Sequence, residues 1–220
     1  GDHRDLHSFP TRRSSDLVQI AQTRERLGLN LSTGCGLDAC TANANLLKAN
    51  MAPSLALLAD VVRNPAFRDA DIERLRAQWI AGIGQEKTQP VGLALRVLPP
   101  LVYGAGHPYA IPFSGTGSEA DIKALTAADL RNWQSAWLRP DNVRILVAGD
   151  TTLPEITAQL DAVFGDWQAP AAGKGAKSIP QVAAQQKPRV FLIDQPGAQQ
   201  SLILAGLLAP STTAPNNLNI

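Results

Sequence analysis

The segment 125–167 constrains the fold most, because three structural signals follow one another there without a gap. Thr126 with Asp129 has the pattern of a capping box, and the apolar residues that follow have helical spacing. The nearly continuous apolar stretch VRILVAG then predicts a buried strand, and LPEITAQLDAVFG has the period of a second amphipathic helix. Helix, strand and helix in this order predict an α+β domain.

The part of the chain before this segment has similar alternation. LNLSTG and ACTANANLLKA predict two strands joined by a hairpin, with one helix ending at Gly28 before them and another ending near Pro65 after them. A longer helix is predicted from Asp69 to Pro90. The next helix is expected to break at Pro99 and Pro100.

Loops and linkers are indicated by composition. GAGHPYAIPFSGTGS is too rich in Gly and Pro for regular structure, and surface loops of this length are often functional. Residues 169–187 form a low-complexity linker of Ala, Gly, Lys, Pro and Gln. After the linker, RVFLID and QSLILAGLLA predict the first strands of a second unit.

Residues 1–17, GDHRDLHSFPTRRSSDL, have no apolar period and are predicted to be disordered. They closely resemble the in-frame translation of a universal adapter used in short-read sequencing libraries. We therefore expect an adapter-derived artefact and exclude its His3 and His7 from the functional argument. A helical pattern already under way at Val18, and a new one starting before Ile220, predict a chain truncated at both ends.

Charge and hydropathy exclude several classes of partner. The net charge is +1 with both signs dispersed, which argues against nucleic-acid binding and against a basic membrane-binding face. No apolar run approaches the ~18 to 20 residues of a membrane span.

The two cysteines, Cys35 and Cys40, lie at the ends of GCGLDAC. A hairpin could bring their sulfurs face to face, but the spacing is neither a zinc pattern nor a thioredoxin pattern. Free thiols are favoured, while the pairing and the redox compartment stay open.

Several separated motifs occur in the order known from one family. LTAADLRNWQSAWLRPDNVRILVAGD, followed by LDAVFGDW, resembles the insulinase, pitrilysin and mitochondrial processing peptidase superfamily of inverted zinc metallopeptidases. LSTGCGLDACTANANLLKANMAPSLALLADVVRNPAF and IDQPGAQQSLILAG resemble other parts of the same family, so that the likeness covers Val18 to Ile220.

The resemblance implies a two-layer α/β sandwich with a mixed, mostly antiparallel sheet packed by helices. It also implies two related units. Residues 18–168 would form a peptidase-like unit that lacks its N-terminal part. After the linker at 169–187, residues 188–220 would be the truncated start of a second unit.

Activity in this family needs an H-x-x-E-H helix and a distant Glu as the third zinc ligand. The resemblance places the H-x-x-E-H helix before Val18, and the position of the third ligand is occupied by Gly82. Glu86, one turn further on, could be a ligand only if the register shifted, and a solvated carboxylate near Lys87 is favoured instead. We therefore expect no catalytic, cofactor-binding or metal-binding residue in this chain.

Two other residue sets have ordinary structural explanations. His107 is the only histidine beyond residue 17, and one imidazole cannot form a catalytic zinc site, so a loop histidine bonded to backbone is favoured. Trp133, Trp137 and Trp167 follow helical spacing and are favoured as core anchors over a ligand platform.

The resemblance favours a non-catalytic half of a bacterial zinc metallopeptidase that helps to form a peptide chamber. The zinc is expected in a catalytic half, in the same chain or in a partner subunit, and the substrates would be peptides. One alternative is an active zinc metalloendopeptidase domain whose H-x-x-E-H helix was lost, and another is a structural relative resembling the core subunits of a respiratory complex. The resemblance favours a periplasmic or secreted location, whereas the substrate, the true N-terminus and the oligomeric state stay open.

Overall fold

The computed structural model describes residues 17–183 and 187–210, which divide into two compact units. Described residues up to Ala77 and from Ala124 to Ala176 form the first unit, and the second comprises Gln78–Lys123 with the described residues from Lys177 onwards. The disorder predicted for residues 1–17 falls on residues outside the described range, except that Leu17 is the first residue of a helix.

Helices predominate, and one antiparallel strand pair accompanies them in the described part of the chain. In chain order the elements are α1 (Leu17–Leu27), β1 (Asn30–Cys35), β2 (Cys40–Asn45), α2 (Met51–Arg63), α3 (Asp69–Thr88), α4 (Pro90–Tyr103), α5 (Glu119–Ala124), α6 (Ala127–Trp137) and α7 (Leu153–Phe164). The predicted α+β class is confirmed.

The hairpin and the helices beside it build the core of the first unit. α1 ends at Gly28, whose φ of 62° is a left-handed conformation that favours glycine. The chain then enters β1, where Leu31 lies opposite Ala44 of β2. Leu27, Leu29 and Leu31 are buried together with Val61 of α2.

The two cysteines are joined by a disulfide bond, so the expectation of free thiols was wrong. The register of the strand pair places Cys35 directly opposite Cys40 at the closed end of the hairpin. Spacing alone could not show this, because the relative positions of the sulfurs depend on the strand register.

Arg63, at the end of α2, ties three helices of the first unit together. Its Nη1 donates to the carbonyl oxygen of Val163 in α7 at 2.6 Å and to the carboxylate of Asp166 at 2.8 Å. The Gln134 side-chain amide in α6 donates to the Arg63 carbonyl oxygen at 3.1 Å. The hydrogen bond from Arg63 lowers the pKa of Asp166.

The predicted capping box at the start of α6 is confirmed. The Thr126 hydroxyl accepts from the Asp129 N–H, while the Asp129 carboxylate accepts from the Thr126 N–H at 2.8 Å. Beyond α6, the buried Arg139 donates to the Asp141 carboxylate at 2.8 and 3.0 Å and to the carbonyl oxygens of Pro170 and Ala172. This side chain therefore fixes the chain that follows α7 to the corner that follows α6.

Three segments predicted as strands, VRILVAG, RVFLID and QSLILAGLLA, are not strands in the structure. β1 and β2 are the only paired strands among the described residues, so no neighbour supplies the ladder hydrogen bonds that the apolar pattern anticipates. The apolar side chains consequently remain in solvent: Leu192 is 95% exposed and Ile203 is 93% exposed.

The helix expected to break at Pro99 and Pro100 continues through both prolines to Tyr103. A proline at 99 removes the N–H that would bond the Leu95 carbonyl oxygen. The Phe113 N–H supplies the missing donor at 3.2 Å, and Pro99 itself is buried. The prediction failed because this donor comes from the loop that follows the helix, which local sequence rules do not consider.

The prediction that Trp133, Trp137 and Trp167 are core anchors holds only in part. Trp133 is 38% exposed, whereas Trp137 and Trp167 are half-buried. A side chain at Gly175 would collide with the Trp137 ring, so this glycine lies directly against the indole.

Among the described residues, no helix has the length and apolarity that crossing a bilayer requires.

Candidate functional site

The candidate site lies on the second half of α3, where the family resemblance puts the third zinc ligand. Gly82 occupies that position, and the neighbouring Ile83 is completely buried. A Cβ atom built on Gly82 would meet nothing within 4 Å. A side chain would therefore fit here, and sterics do not explain the glycine.

Glu86, one turn further along α3, is not the solvated carboxylate that the sequence favoured. Its side chain is only 23% exposed, and its Oε2 accepts from the Arg96 Nη1 at 2.7 Å. Oε2 also accepts from the hydroxyls of Thr116 at 3.0 Å and Ser114 at 3.2 Å. Lys87, the expected neighbour, instead bonds the Glu119 carboxylate at 2.6 Å.

Arg96 of α4 is the cation that holds this arrangement together. Its side chain is 11% exposed. Besides Glu86, it donates to the Thr116 hydroxyl at 2.8 Å and to the Gly117 carbonyl oxygen at 2.6 Å. We call the four side chains Glu86, Arg96, Ser114 and Thr116 the carboxylate clamp.

The carboxylate clamp fixes the loop between α4 and α5. Thr116 is held at both its hydroxyl and its carbonyl oxygen, because the carbonyl accepts from the Trp79 Nε1 at 2.9 Å. The hydroxyls of Ser114 and Thr116 are also within hydrogen-bonding distance, at 2.8 Å. Although the loop is rich in glycine, polar contacts from α3 and α4 therefore hold its second half in one conformation.

His107 lies in the first half of the same loop and is bonded to backbone on both ring nitrogens, as predicted. Its Nδ1 accepts from the Tyr109 N–H at 3.0 Å, which leaves Nε2 as the protonated nitrogen. Nε2 is then the donor to the Pro180 carbonyl oxygen, 3.0 Å away. The ring also stacks on Tyr103, with 5.2 Å between the ring centroids.

Within residues 17–183 and 187–210, no group of three His, Cys, Asp or Glu side chains is arranged to hold a metal ion. Glu119 and Asp141 are acidic groups with a lowered pKa, and each belongs to a structural ion pair. The hydrogen bond from Lys87 lowers the pKa of Glu119, and the hydrogen bond from Arg139 lowers the pKa of Asp141. The carboxylate clamp can hold the loop between α4 and α5 in position at the surface of the protein.

Sequence reasoning missed the clamp, although a signal was available. Arg96 is the single charged residue of the otherwise apolar α4, and a cation in such a helix needs a buried partner. Which carboxylate supplies the partner could not be predicted, because Glu86 lies on α3 and the packing of α3 against α4 is not encoded in either helix alone.

Residues 124–219 match the family model described as the peptidase M16 inactive domain. Among solved structures, the peptidase M16 inactive domain from Pseudomonas fluorescens is 28% identical with a TM-score of 0.68, covering 78% of this chain and 40% of that chain. Residues 124–219 are therefore similar to the insulinase-like superfamily. The M16 match is to an inactive domain, which identifies this part of the chain with a non-catalytic half.

Two further solved structures show the same fold at lower identity. A protease from Helicobacter pylori is 19% identical with a TM-score of 0.66, covering 81% of this chain and 41% of that one. The periplasmic protease PqqL from Escherichia coli is 17% identical with a TM-score of 0.62, covering 75% of this chain and 19% of that one. This chain therefore spans well under half the length of these relatives. No curated protein matches the sequence.

Proposed function

We propose that this chain is a non-catalytic half of an insulinase-like zinc metallopeptidase and contributes walls and peptide contacts to a chamber. The match to an M16 inactive domain is the observation that carries the proposal. Gly82 at the expected ligand position supports it, and so does Glu86, whose carboxylate is already bonded by Arg96. The zinc would be held by a catalytic half, in the same polypeptide or in a partner subunit.

The carboxylate clamp suits a wall element. A chamber wall has to keep its shape when a peptide enters, and a loop held by a half-buried ion pair has lost most of its freedom before binding. We assign residues 104–118 to the surface that faces the peptide. The substrates would be extended peptides, which such a wall contacts without taking part in hydrolysis.

We further propose that residues 18–168 and 188–220 belong to two related units joined by the linker 169–187. Residues 18–168 contact the linker at two places: Arg139 donates to the carbonyl oxygens of Pro170 and Ala172, and His107 donates to that of Pro180. A periplasmic or secreted location fits the disulfide, since such bonds persist in oxidising compartments. PqqL, one of the structural relatives, is a periplasmic protease.

Metal analysis with a peptidase assay tests the proposed function. The purified chain should contain no stoichiometric zinc and should not cleave an unstructured fluorogenic peptide. Adding it to a zinc-bearing M16 half that has low activity alone should raise that activity, because the chamber is then closed around the peptide.

Two other results would favour the alternatives. Zinc bound one to one by the native-length domain, and lost in Glu86→Ala, would identify an active domain, since a ligand set of this family holds zinc through purification. If the chain binds no zinc and never raises the activity of a catalytic half, the result would favour the alternative in which the protein is a purely structural relative. Gly82→Glu should create no activity, because one carboxylate without two imidazoles does not form the zinc site.

A further inference from the structure

The β1–β2 hairpin consists of two parts that are supported differently. At its base, Leu31 is buried in the core of the first unit, and Ala44 packs against that core from the opposite strand. At its closed end, the disulfide joins Cys35 to Cys40. The hairpin is therefore held by side-chain packing at one end and by a covalent bond at the other.

Between these ends lies a stretch that the core does not support. None of residues 32–43, all of which lie in the described range, is buried, and Cys35 is exposed. Their side chains are small or polar apart from Leu37, which is itself exposed at the hairpin tip. An isolated two-stranded ribbon is marginally stable in water. We call residues 32–35 and 40–43 the outer ribbon.

We propose that the Cys35–Cys40 disulfide is a reducible clasp that keeps the outer ribbon ordered, so that a dithiol reductant frays the outer ribbon while the rest of the first unit stays folded. The inference does not depend on the proposed function. It follows from the burial of Leu31, from the absence of buried residues in the outer ribbon, and from the position of the bond at the far end of the register.

The chemistry is ordinary thiol–disulfide exchange. A thiolate of the dithiol attacks the Sγ of Cys35, which is the more exposed of the two cysteines. The sulfur–sulfur bond breaks, and the Cys40 thiolate leaves and takes up a proton. The second thiol of the reductant then displaces Cys35, so that the protein gains two electrons and two protons while the dithiol becomes a cyclic disulfide.

Hydrogen–deuterium exchange on the full chain, with and without dithiothreitol, tests the clasp. Protection of the outer-ribbon amides should fall by about ten- to thirtyfold on reduction, a change of the size expected from opening a short covalent loop. Protection of Leu31 and of α2 should not change. The double variant Cys35→Ser with Cys40→Ser should behave like the reduced chain whether or not the reductant is present.

A matched variant at the base separates the two supports. Leu31→Val weakens the packing end and should lower protection of the base in both redox states. Three results would overturn the proposal: unchanged outer-ribbon exchange after reduction, equal loss of protection in the outer ribbon and in α2, or a disulfide that dithiothreitol reduces only after the chain has unfolded.

Discussion

At the scale of single residues, two glycines on neighbouring helices have opposite roles. A Cβ atom on Gly82 would meet nothing within 4 Å, whereas a Cβ atom on Gly92 would lie 2.5 Å from the Glu86 carbonyl oxygen. Gly92 therefore permits α4 to start close against the end of α3. Gly82 has no such packing reason and weakens α3, because glycine costs more backbone entropy than alanine in a helix interior.

Gly82→Ala should raise the free energy of unfolding by about 0.5–1 kcal/mol, the usual helix-propensity difference. Gly92→Ala is the matched control and should lower it by about 1–3 kcal/mol, because backbone atoms have to move apart. Urea unfolding followed by tryptophan fluorescence measures both. A destabilising Gly82→Ala would show that the position requires a glycine for a reason that the packing does not reveal.

Removing the cation of the carboxylate clamp should be costly. Arg96→Met leaves the half-buried Glu86 carboxylate without its positive partner, and we expect about 2–3 kcal/mol of lost stability, below the value for a fully buried pair. Lys87→Met is the control, since Lys87 and Glu119 form a more exposed pair and should matter much less. Chemical denaturation compares the variants, and equal effects at the two sites would contradict a structural role for the clamp.

At the scale of elements, helix boundaries are controlled by hydrogen-bonding groups beyond the helix itself. α6 starts where Thr126 and Asp129 bond each other reciprocally. α7 starts at Leu153, after the capping residue Thr152, whose hydroxyl accepts a single 3.4 Å bond from the Glu155 N–H. In α4, where Pro99 has no N–H to donate, the Phe113 N–H bonds the Leu95 carbonyl oxygen instead. The same rule of satisfied backbone groups thus acts locally in α6 and at long range in α4.

Thr126→Ala should destabilise the chain by about 1 kcal/mol at neutral pH through loss of the α6 cap. Hydrogen bonds from Thr126 lower the pKa of Asp129 below its ordinary value of 3.8. This stabilisation is present above pH 3.8 and is lost as the pH falls through the lowered pKa of the folded state. The difference in stability between wild type and Thr126→Ala should therefore become smaller in that acidic pH window.

Thermal unfolding across pH measures this narrowing, with Thr152→Ala as the control. In the α7 cap, no carboxylate returns a bond to the capping residue Thr152. The stability difference between wild type and Thr152→Ala should therefore not narrow in the same pH window. A Thr126→Ala difference that stays constant down to the lowest accessible pH would exclude the charged capping box.

At the scale of the whole molecule, the chain exposes apolar residues in extended segments. Val190, Leu192 and Ile203 are almost completely exposed, and no described segment pairs with them. Exposed apolar segments with unpaired backbone groups favour association between molecules. We therefore expect the chain to self-associate at concentrations where a protein of this size usually stays monomeric.

Leu192→Lys combined with Ile203→Lys should reduce this association without lowering the melting temperature, because both side chains already lie in solvent. Ile83→Lys is the contrasting control, since Ile83 is fully buried and the variant should unfold the chain. Static light scattering and thermal unfolding report the two effects. A large loss of stability in the double lysine variant would show that these segments are packed in solution.

Local features of this chain could be predicted from the sequence because their partners lie a few residues away. The capping box at Thr126, the end of α1 at Gly28 and the two hairpin strands depend on spacing, on capping groups and on the conformational freedom of glycine. The family could also be recognised, since several such local patterns occur in its order.

The tertiary structure alone decided the contacts between residues that are distant in sequence. It paired Glu86 with Arg96 and Thr116 and supplied the Phe113 N–H to α4, and among the described residues it gave VRILVAG no neighbouring strand. An apolar pattern states that a segment can be buried, but not which surface buries it. A ladder hydrogen bond or a buried ion pair forms only when the fold brings both partners together, and one segment contains only one of them.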